Sequence, residues 1–236
     1  MRPEPLKKGS GRKPVRVRKV GENDLSFMMG KHIPVDLKDK ILERDGHQCR
    51  YCGFHSDKYH NVHHRDLNLG NVKLDNLVTA CAFCHQCFYL EQVARMESGM
   101  LIWLPEISQA QLNHIARAVY VGRISQGPIA EASRRVYDVL LSRRQAAVER
   151  ISTDNPFILA TVLKDYLTPG AYGMRGKKLD GLRLFPLDKR MVQEGELKFN
   201  QFPQILAYWR SKNGPFGTKA PTEWVAITED ILARVA

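Results

Sequence analysis

The chain has 236 residues and a formal net charge of +11, and its residues are 43% hydrophobic, 8% aromatic and 26% charged. This composition is typical of a folded water-soluble protein and excludes fibrous repeats. No apolar run approaches the ~20 residues that span a bilayer, and no apolar segment follows the basic N-terminus. We therefore expect a cytoplasmic protein with no transmembrane segment and no secretory signal.

The positive charge is concentrated at the N-terminus. Residues 1–20 contain eight lysines and arginines and one acidic residue, which leaves only +4 of the total for the remaining 216 residues. Prolines and glycines lie among these charges, so the sequence predicts a disordered basic tail over residues 1–24. Such a tail binds nucleic acid or an anionic membrane surface, or it only increases solubility. The composition leaves these interpretations open.

The predicted elements begin with a short helix over residues 36–44. A segment rich in cysteine and histidine covers residues 47–97, and residues 100–105 form a short apolar strand or an extended run that ends at Pro105. Ser108 and Gln111 form a capping box that starts the next helix. Further helices are predicted at 129–151, from Asn155-Pro156 to about Leu167, at 203–212 and at 223–235.

Four of the five cysteines form two C-x-x-C pairs, Cys49 with Cys52 and Cys81 with Cys84. Each pair suits a tight turn that places two thiolates ~2.3 Å from one zinc ion. In a chain without an export signal this pattern indicates a metal site more often than disulfides. We predict a structural Zn²⁺ site; the alternative is four buried free thiols. Cys87 leaves the register open, because Cys84 and Cys87 also form a C-x-x-C pair.

The segment around these cysteines resembles the zinc-supported HNH (ββα-metal) nuclease module. The matching strings are Val62-His-His-Arg-Asp66 and Asn76-Leu-Val-Thr-Ala-Cys-Ala-Phe-Cys-His85, in the order and spacing of that module. The resemblance implies that Cys81 and Cys84 are the ligands of the second pair.

The same resemblance assigns the polar residues of a nuclease centre. His63 and His85 would hold a second divalent cation, Mg²⁺ or Mn²⁺, and His64 would be the general base that activates water. Asn76 would orient the His64 backbone. The alternative is that these histidines are only neighbours of the zinc site.

A longer similarity involves Asn76–Glu91 and the string Leu101-Ile-Trp-Leu-Pro-Glu-Ile-Ser-Gln-Ala-Gln-Leu-Asn113. These segments resemble the DotN/IcmJ family of type IVB secretion systems. That family implies a cytoplasmic zinc protein with an HNH-like fold, which binds the C-terminal segment of the coupling ATPase together with other coupling-complex subunits. It also implies association with the inner-membrane complex through partners.

We therefore predict an α+β fold, with an HNH-like ββα zinc module at residues 25–105 and a mostly helical body at 106–236. The leading functional hypothesis is a zinc-stabilised adaptor subunit that helps to recruit secretion substrates. The alternative is a metal-dependent HNH endonuclease that acts on DNA, and the residues alone leave enzymatic activity uncertain.

Overall fold

A computed structural model describes residues 33–168, 174, 179–194 and 196–217. The predicted tail at 1–24 and the predicted helix at 223–235 lie outside the described residues. Helices and small antiparallel strands alternate, which confirms the α+β class. The helices are α1 Val35–Arg44, α2 Ala82–Gln86, α3 Leu90–Met96, α4 Gln109–Arg123, α5 Pro128–Ser142, α6 Arg144–Ile151, α7 Pro156–Tyr166 and α8 Phe202–Arg210. The strands are β1 His60–His64, β2 Leu77–Cys81, β3 Gly99–Trp103, β4 Leu182–Pro186, β5 Met191–Glu194 and β6 Leu197–Asn200.

Strands β1 and β2 form an antiparallel pair in which His63 lies opposite Val78. Helix α1 packs against this pair through a small buried cluster that includes Ile41 and Leu77. At the end of α1, Asp45 accepts a hydrogen bond of 2.8 Å from the Thr79 backbone amide, which fixes the helix to β2. Helix α2 follows β2 without a connecting loop, so the order along the chain is β, β, α.

Three strands in the C-terminal half were not predicted from the sequence. Strand β4 pairs antiparallel with β3, from the pair Gly99–Pro186 to the pair Trp103–Leu182. Strands β5 and β6 form a separate antiparallel hairpin. The C-terminal half is therefore less helical than the sequence indicated.

The predicted helix starts at Ser108 and Asn155 are confirmed. The Ser108 hydroxyl accepts from the Gln111 amide at 3.2 Å, and the Gln111 side chain accepts from the Ser108 amide at 2.8 Å. Asn155 accepts from the Phe157 amide at 2.9 Å, with Pro156 as the first helical residue. Both caps satisfy backbone amides that have no partner inside their helix.

The single helix predicted over residues 129–151 is wrong, because the chain forms α5 and α6 with a break at Arg143. The Arg143 carbonyl accepts a hydrogen bond of 3.2 Å from the Trp103 amide of β3. Its side chain forms an ion pair with Glu106 at 3.3 Å. These contacts with the β3 region hold Arg143 out of a continuous helix.

The main core contains side chains from both sides of residue 105, the predicted module boundary. Phe54 and Phe83 belong to the same buried cluster as Leu112, Leu140 and Trp209. The division at residue 105 remains a prediction. The cysteine-rich segment packs directly on the helices that follow it.

Candidate metal centre

The structure brings the four predicted cysteines together. The Sγ atoms of Cys49, Cys52, Cys81 and Cys84 all lie within 4.8 Å of one another. The Sγ atoms of Cys52 and Cys81 are 3.8 Å apart. A tetrahedral zinc ion with Zn–S bonds of ~2.3 Å separates its sulfurs by about 3.8 Å. The spacing therefore fits one tetrahedral metal ion bound by four thiolates.

Two tight turns produce this arrangement. In the first, the Gly53 amide donates to the Cys49 carbonyl at 2.8 Å. Gly53 has φ +74°, a conformation that favours glycine. In the second, Cys81 ends β2 and caps α2, so that the Cys84 amide donates to the Cys81 sulfur at 3.4 Å. The strand-to-helix junction thus aims both sulfurs of the second pair at those of the first.

Cys87 lies outside the cluster. Its thiol donates to the Phe83 carbonyl at 3.2 Å, one helical turn back, and packs against a different apolar group that includes Val93 and Leu101. Burial raises the pKa of Cys87 to about 12, so this thiol stays protonated at neutral pH. The geometry selects Cys84 rather than Cys87 as the partner of Cys81.

Helix α4 supplies polar contacts to the cluster that the sequence analysis missed. Arg117 Nη2 donates to the Cys81 sulfur at 2.7 Å and lies 3.6 Å from the Cys52 sulfur. Asn113 Nδ2 donates to the Cys84 sulfur at 3.2 Å. The only signal in the sequence was a pair of polar residues, four apart, between the apolar positions of a predicted helix.

A buried cation lies against the sulfurs and favours their ionised form. Arg117 is only 1% exposed, and no carboxylate in the described part of the chain pairs with it. Burial acts to lower the pKa of Arg117, but negative charge on Cys81, Cys52 and Cys84 raises it above its ordinary value. Adjacent negative charge stabilises a buried guanidinium, so the position of Arg117 favours thiolates in this cluster.

The thiols cannot all ionise without a cation. Burial raises the pKa of Cys81 strongly, whereas hydrogen bonding to Cys49, Cys81 and Cys84 lowers that of Cys52. The Cys52 sulfur acts to raise the pKa of Cys49, but hydrogen bonding to Cys81 and Cys84 lowers it to about 6, so thiolates form only beside neighbours that keep their protons. A divalent cation removes this conflict because it allows all four thiolates to form. The donor set fits zinc, which favours four sulfur ligands in a closed site.

The three histidines of the predicted nuclease centre are all buried. The rings of His63 and His85 lie with their centroids 5.4 Å apart and nearly perpendicular. His63 also stacks on Phe88 at 4.2 Å, and neither of its ring nitrogens has a hydrogen-bond partner in the described residues. Burial lowers the pKa of His63 to about 4, so its imidazole is neutral at pH 7. His64 leaves β1 on the face opposite to His63, because successive strand residues alternate.

Asn76 organises the loop between β1 and β2. Its side-chain amide donates to Asp66 at 2.9 Å and to the Asn71 carbonyl at 2.8 Å. Its side-chain oxygen accepts from the Asp66 amide at 3.1 Å. The Arg65 amide, next to His64, donates to the Asn76 carbonyl at 2.9 Å. Asn76 therefore contacts the backbone directly after His64.

Comparison with known proteins gives one match that decides the family. The chain is 31% identical over 153 residues to the type 4 apparatus protein DotN of Legionella pneumophila. The match covers 63% of this chain and 71% of that protein. The chain belongs to the DotN family. No family model matches it. The resemblance inferred from residues 76–91 and 101–113 is thereby confirmed.

A positively charged cleft lies beside the histidines of this DotN-family chain. It has a volume of about 380 Å³. Tyr51 lines it and packs edge-on against His63, with ring centroids 5.7 Å apart. The remaining lining residues are three arginines, two aspartates and a valine, namely Arg44, Arg50, Arg65, Asp45, Asp75 and Val78. The planar guanidinium groups of arginines suit phosphate and carboxylate ligands.

The described residues of this DotN-family chain contain no helix that could span a membrane. None of the helices there is both long enough and apolar enough to cross a bilayer.

Proposed function

We propose that this chain is a zinc-stabilised subunit of a type IV secretion apparatus, where it binds the C-terminal segment of the coupling ATPase and helps to recruit substrates. The observation that carries this proposal is the similarity to a protein named as a type 4 apparatus component. In this role the chain is cytoplasmic and reaches the inner-membrane complex through its partners. The basic N-terminal residues offer an additional contact to nucleic acid.

Zinc has a structural role in this proposal. Cysteine sulfurs provide all four ligands, which leaves no open position for a substrate. The strands β1 and β2 followed by α2, with Cys81 at their junction, support an HNH-like ββα module. The zinc ion holds the two turns together, and through them it holds α2 against the core.

An exposed apolar surface on α7 supports the partner-binding role. The residues of this surface are well exposed although they lie in an ordered helix: Phe157 is 41%, Ile158 48%, Val162 47% and Tyr166 82% exposed. Contiguous exposed apolar side chains on a folded protein mark interaction sites. A peptide segment from a partner would bury them.

The decisive experiment is copurification with the isolated C-terminal segment of the coupling ATPase. We expect a complex at micromolar concentrations, both with residues 1–24 and without them. Val162→Asp on α7 should weaken it, while Val35→Asp, at an exposed position of α1, should not. Absence of a complex with the unaltered protein would refute the adaptor function.

The second candidate is a metal-dependent endonuclease. The paired rings of His63 and His85 and the adjacent arginine-lined cleft favour it. It predicts nicking of plasmid DNA with Mg²⁺ or Mn²⁺, and loss of nicking in His64→Ala. His55→Ala is the matched control, because His55 is exposed. Activity that is equal in the unaltered protein and in His64→Ala would identify a contaminant.

A further inference from the structure

We propose that Arg117 is the countercation of the metal centre, and that it makes the docking of α4 dependent on metal. The inference rests on the zinc occupancy proposed above. It goes beyond that occupancy because it assigns a positioning role to a residue that is not a ligand. The inference is based on the buried guanidinium of Arg117, which donates a hydrogen bond of 2.7 Å to the Cys81 sulfur.

The charge balance of the loaded centre requires such a group. A divalent ion bound by four thiolates has a net charge of roughly −2. In the described part of the chain, Arg117 is the one lysine or arginine whose side chain is hydrogen-bonded to these sulfurs. Asn113 also donates to a sulfur, at 3.2 Å, but its amide is neutral. Arg117 therefore provides the positive charge that makes burial of the centre favourable.

The side chain of Arg117 is held so that it cannot leave this position easily. Its guanidinium carbon lies 4.1 Å from the ring centroid of Phe54 and 5.2 Å from that of Phe83. Phe54 follows the first cysteine turn and Phe83 lies within the second. Nη1 also donates to the Asn113 carbonyl at 3.0 Å. The cation is enclosed by residues of both turns and by its own helix.

Because Arg117 of α4 is enclosed in this way, loss of the metal would affect α4 as well as the cysteine turns. Without metal nothing holds the four sulfurs together, so the two cysteine turns that enclose Arg117 are free to separate. Separation of the turns would open the enclosure, and α4 would lose the contacts that Arg117 makes with Cys81, Phe54 and Phe83. Since α4 also carries Leu112 and Ala116 of the main core, metal loss would loosen the helices as well as the turns.

The test compares thermal stability in four states: the unaltered protein and Arg117→Met, each with zinc and after removal of zinc by EDTA. Methionine has a similar length without the charge. With zinc, we expect Arg117→Met to have the lower Tm. Without zinc, we expect the difference in Tm to be small, because the sulfur to which Arg117 donates is no longer held in place by the metal. A purely packing role would lower Tm equally in both conditions, and that result would overturn the inference.

Metal affinity provides a second readout. In competition with a chelator, Arg117→Met should bind zinc about 10–100-fold more weakly, as expected when a hydrogen bond to a metal ligand is lost. Arg117→Lys keeps the charge but loses the forked geometry, so its zinc affinity should lie between those of the unaltered protein and Arg117→Met. The sulfur-to-metal charge-transfer band of the cobalt-substituted protein should also shift in Arg117→Met.

A matched control on the same helix is Arg123→Met. Arg123 lies over Tyr137 and pairs with Asp188 at 3.0 Å, away from the sulfurs. The Arg123→Met substitution should leave the zinc affinity and the spectrum of the cobalt-substituted protein unchanged. If the unaltered protein bound no zinc, the proposed zinc site would be wrong. If the unaltered protein bound zinc but neither Arg117→Lys nor Arg117→Met changed the zinc affinity, only the proposed role of Arg117 would be wrong.

Discussion

Phe83 links the second cysteine turn to the helices, and its removal should show how strongly the two depend on each other. The side chain lies between Cys81 and Cys84 in sequence and is buried. Its ring stacks parallel to Phe202 at a centroid distance of 6.3 Å and meets Trp209 edge-on at 5.7 Å. Both partners belong to α8, far away in the sequence.

The expected cost of Phe83→Ala follows from these contacts. Truncation of a buried phenylalanine costs about 3–5 kcal/mol, which includes the cavity that remains. Each lost aromatic pair accounts for about 0.5–1.5 kcal/mol. The cysteine turn resists collapse into the cavity, so we expect the upper part of this range. Because the free energy of unfolding of a domain is about 5–15 kcal/mol, the variant should lose roughly a quarter or more of its stability.

Urea unfolding in the presence of zinc, followed by circular dichroism, measures this change. Phe157→Ala is the matched control, since Phe157 is 41% exposed and its loss should change stability by about 0.5 kcal/mol or little more. A loss below about 1 kcal/mol for Phe83→Ala, with an unchanged denaturant slope, would show that the turn does not depend on the helical core.

Three further predictions concern single side chains. Cys84→Ser should abolish stoichiometric zinc binding whereas Cys87→Ser should retain it, as measured by metal analysis of the purified variants, because only Cys84 belongs to the sulfur cluster. Tyr120→Phe should cost about 1–3 kcal/mol in urea unfolding, because the buried Pro186 carbonyl loses its hydrogen bond from the tyrosine hydroxyl. The pKa of His63 is about 4 in the folded chain and ~6.5 when unfolded, so the unfolded state binds the proton more tightly. Stability should therefore fall as pH drops from about 6.5 to 4, and the fall should be smaller in His63→Phe; equal slopes would contradict the buried neutral imidazole.

The parts of the fold that the sequence predicted are those set by local chemistry. The caps at Ser108 and Asn155 each depend on residues within three positions, and both were located correctly. The pairing of β3 with β4 depends on residues about eighty positions apart, such as Leu101 and Leu184, and no local pattern reveals it. The break at Arg143 has the same origin, because it results from a contact with Trp103 of β3.

The residues of the candidate site show the same difference between local features, which the sequence predicts, and distant contacts, which it does not. The C-x-x-C spacing located the four cysteines, because each turn is a local structure. The ambiguity between Cys84 and Cys87 could be resolved only by resemblance, and the geometry then selected Cys84. The contact of Arg117 with the metal centre could not be predicted from the sequence, because its partners, the sulfurs of Cys81 and Cys52, lie on other elements. A single polar residue on an apolar helix face does not reveal which group it meets.

The buried residues of α4 also bear on what the cysteine cluster is. If the four cysteines were simply free thiols in an apolar core, an apolar residue at position 117 would pack there at lower cost than a buried guanidinium. Arg117 is nevertheless enclosed by Phe54 and Phe83 and directed at Cys81. Such an arrangement is favoured when the sulfurs are negatively charged, and a metal ion between them would allow all four cysteines to be thiolates. The helix outside the C-x-x-C motifs thus gives independent support for the metal that those motifs predict.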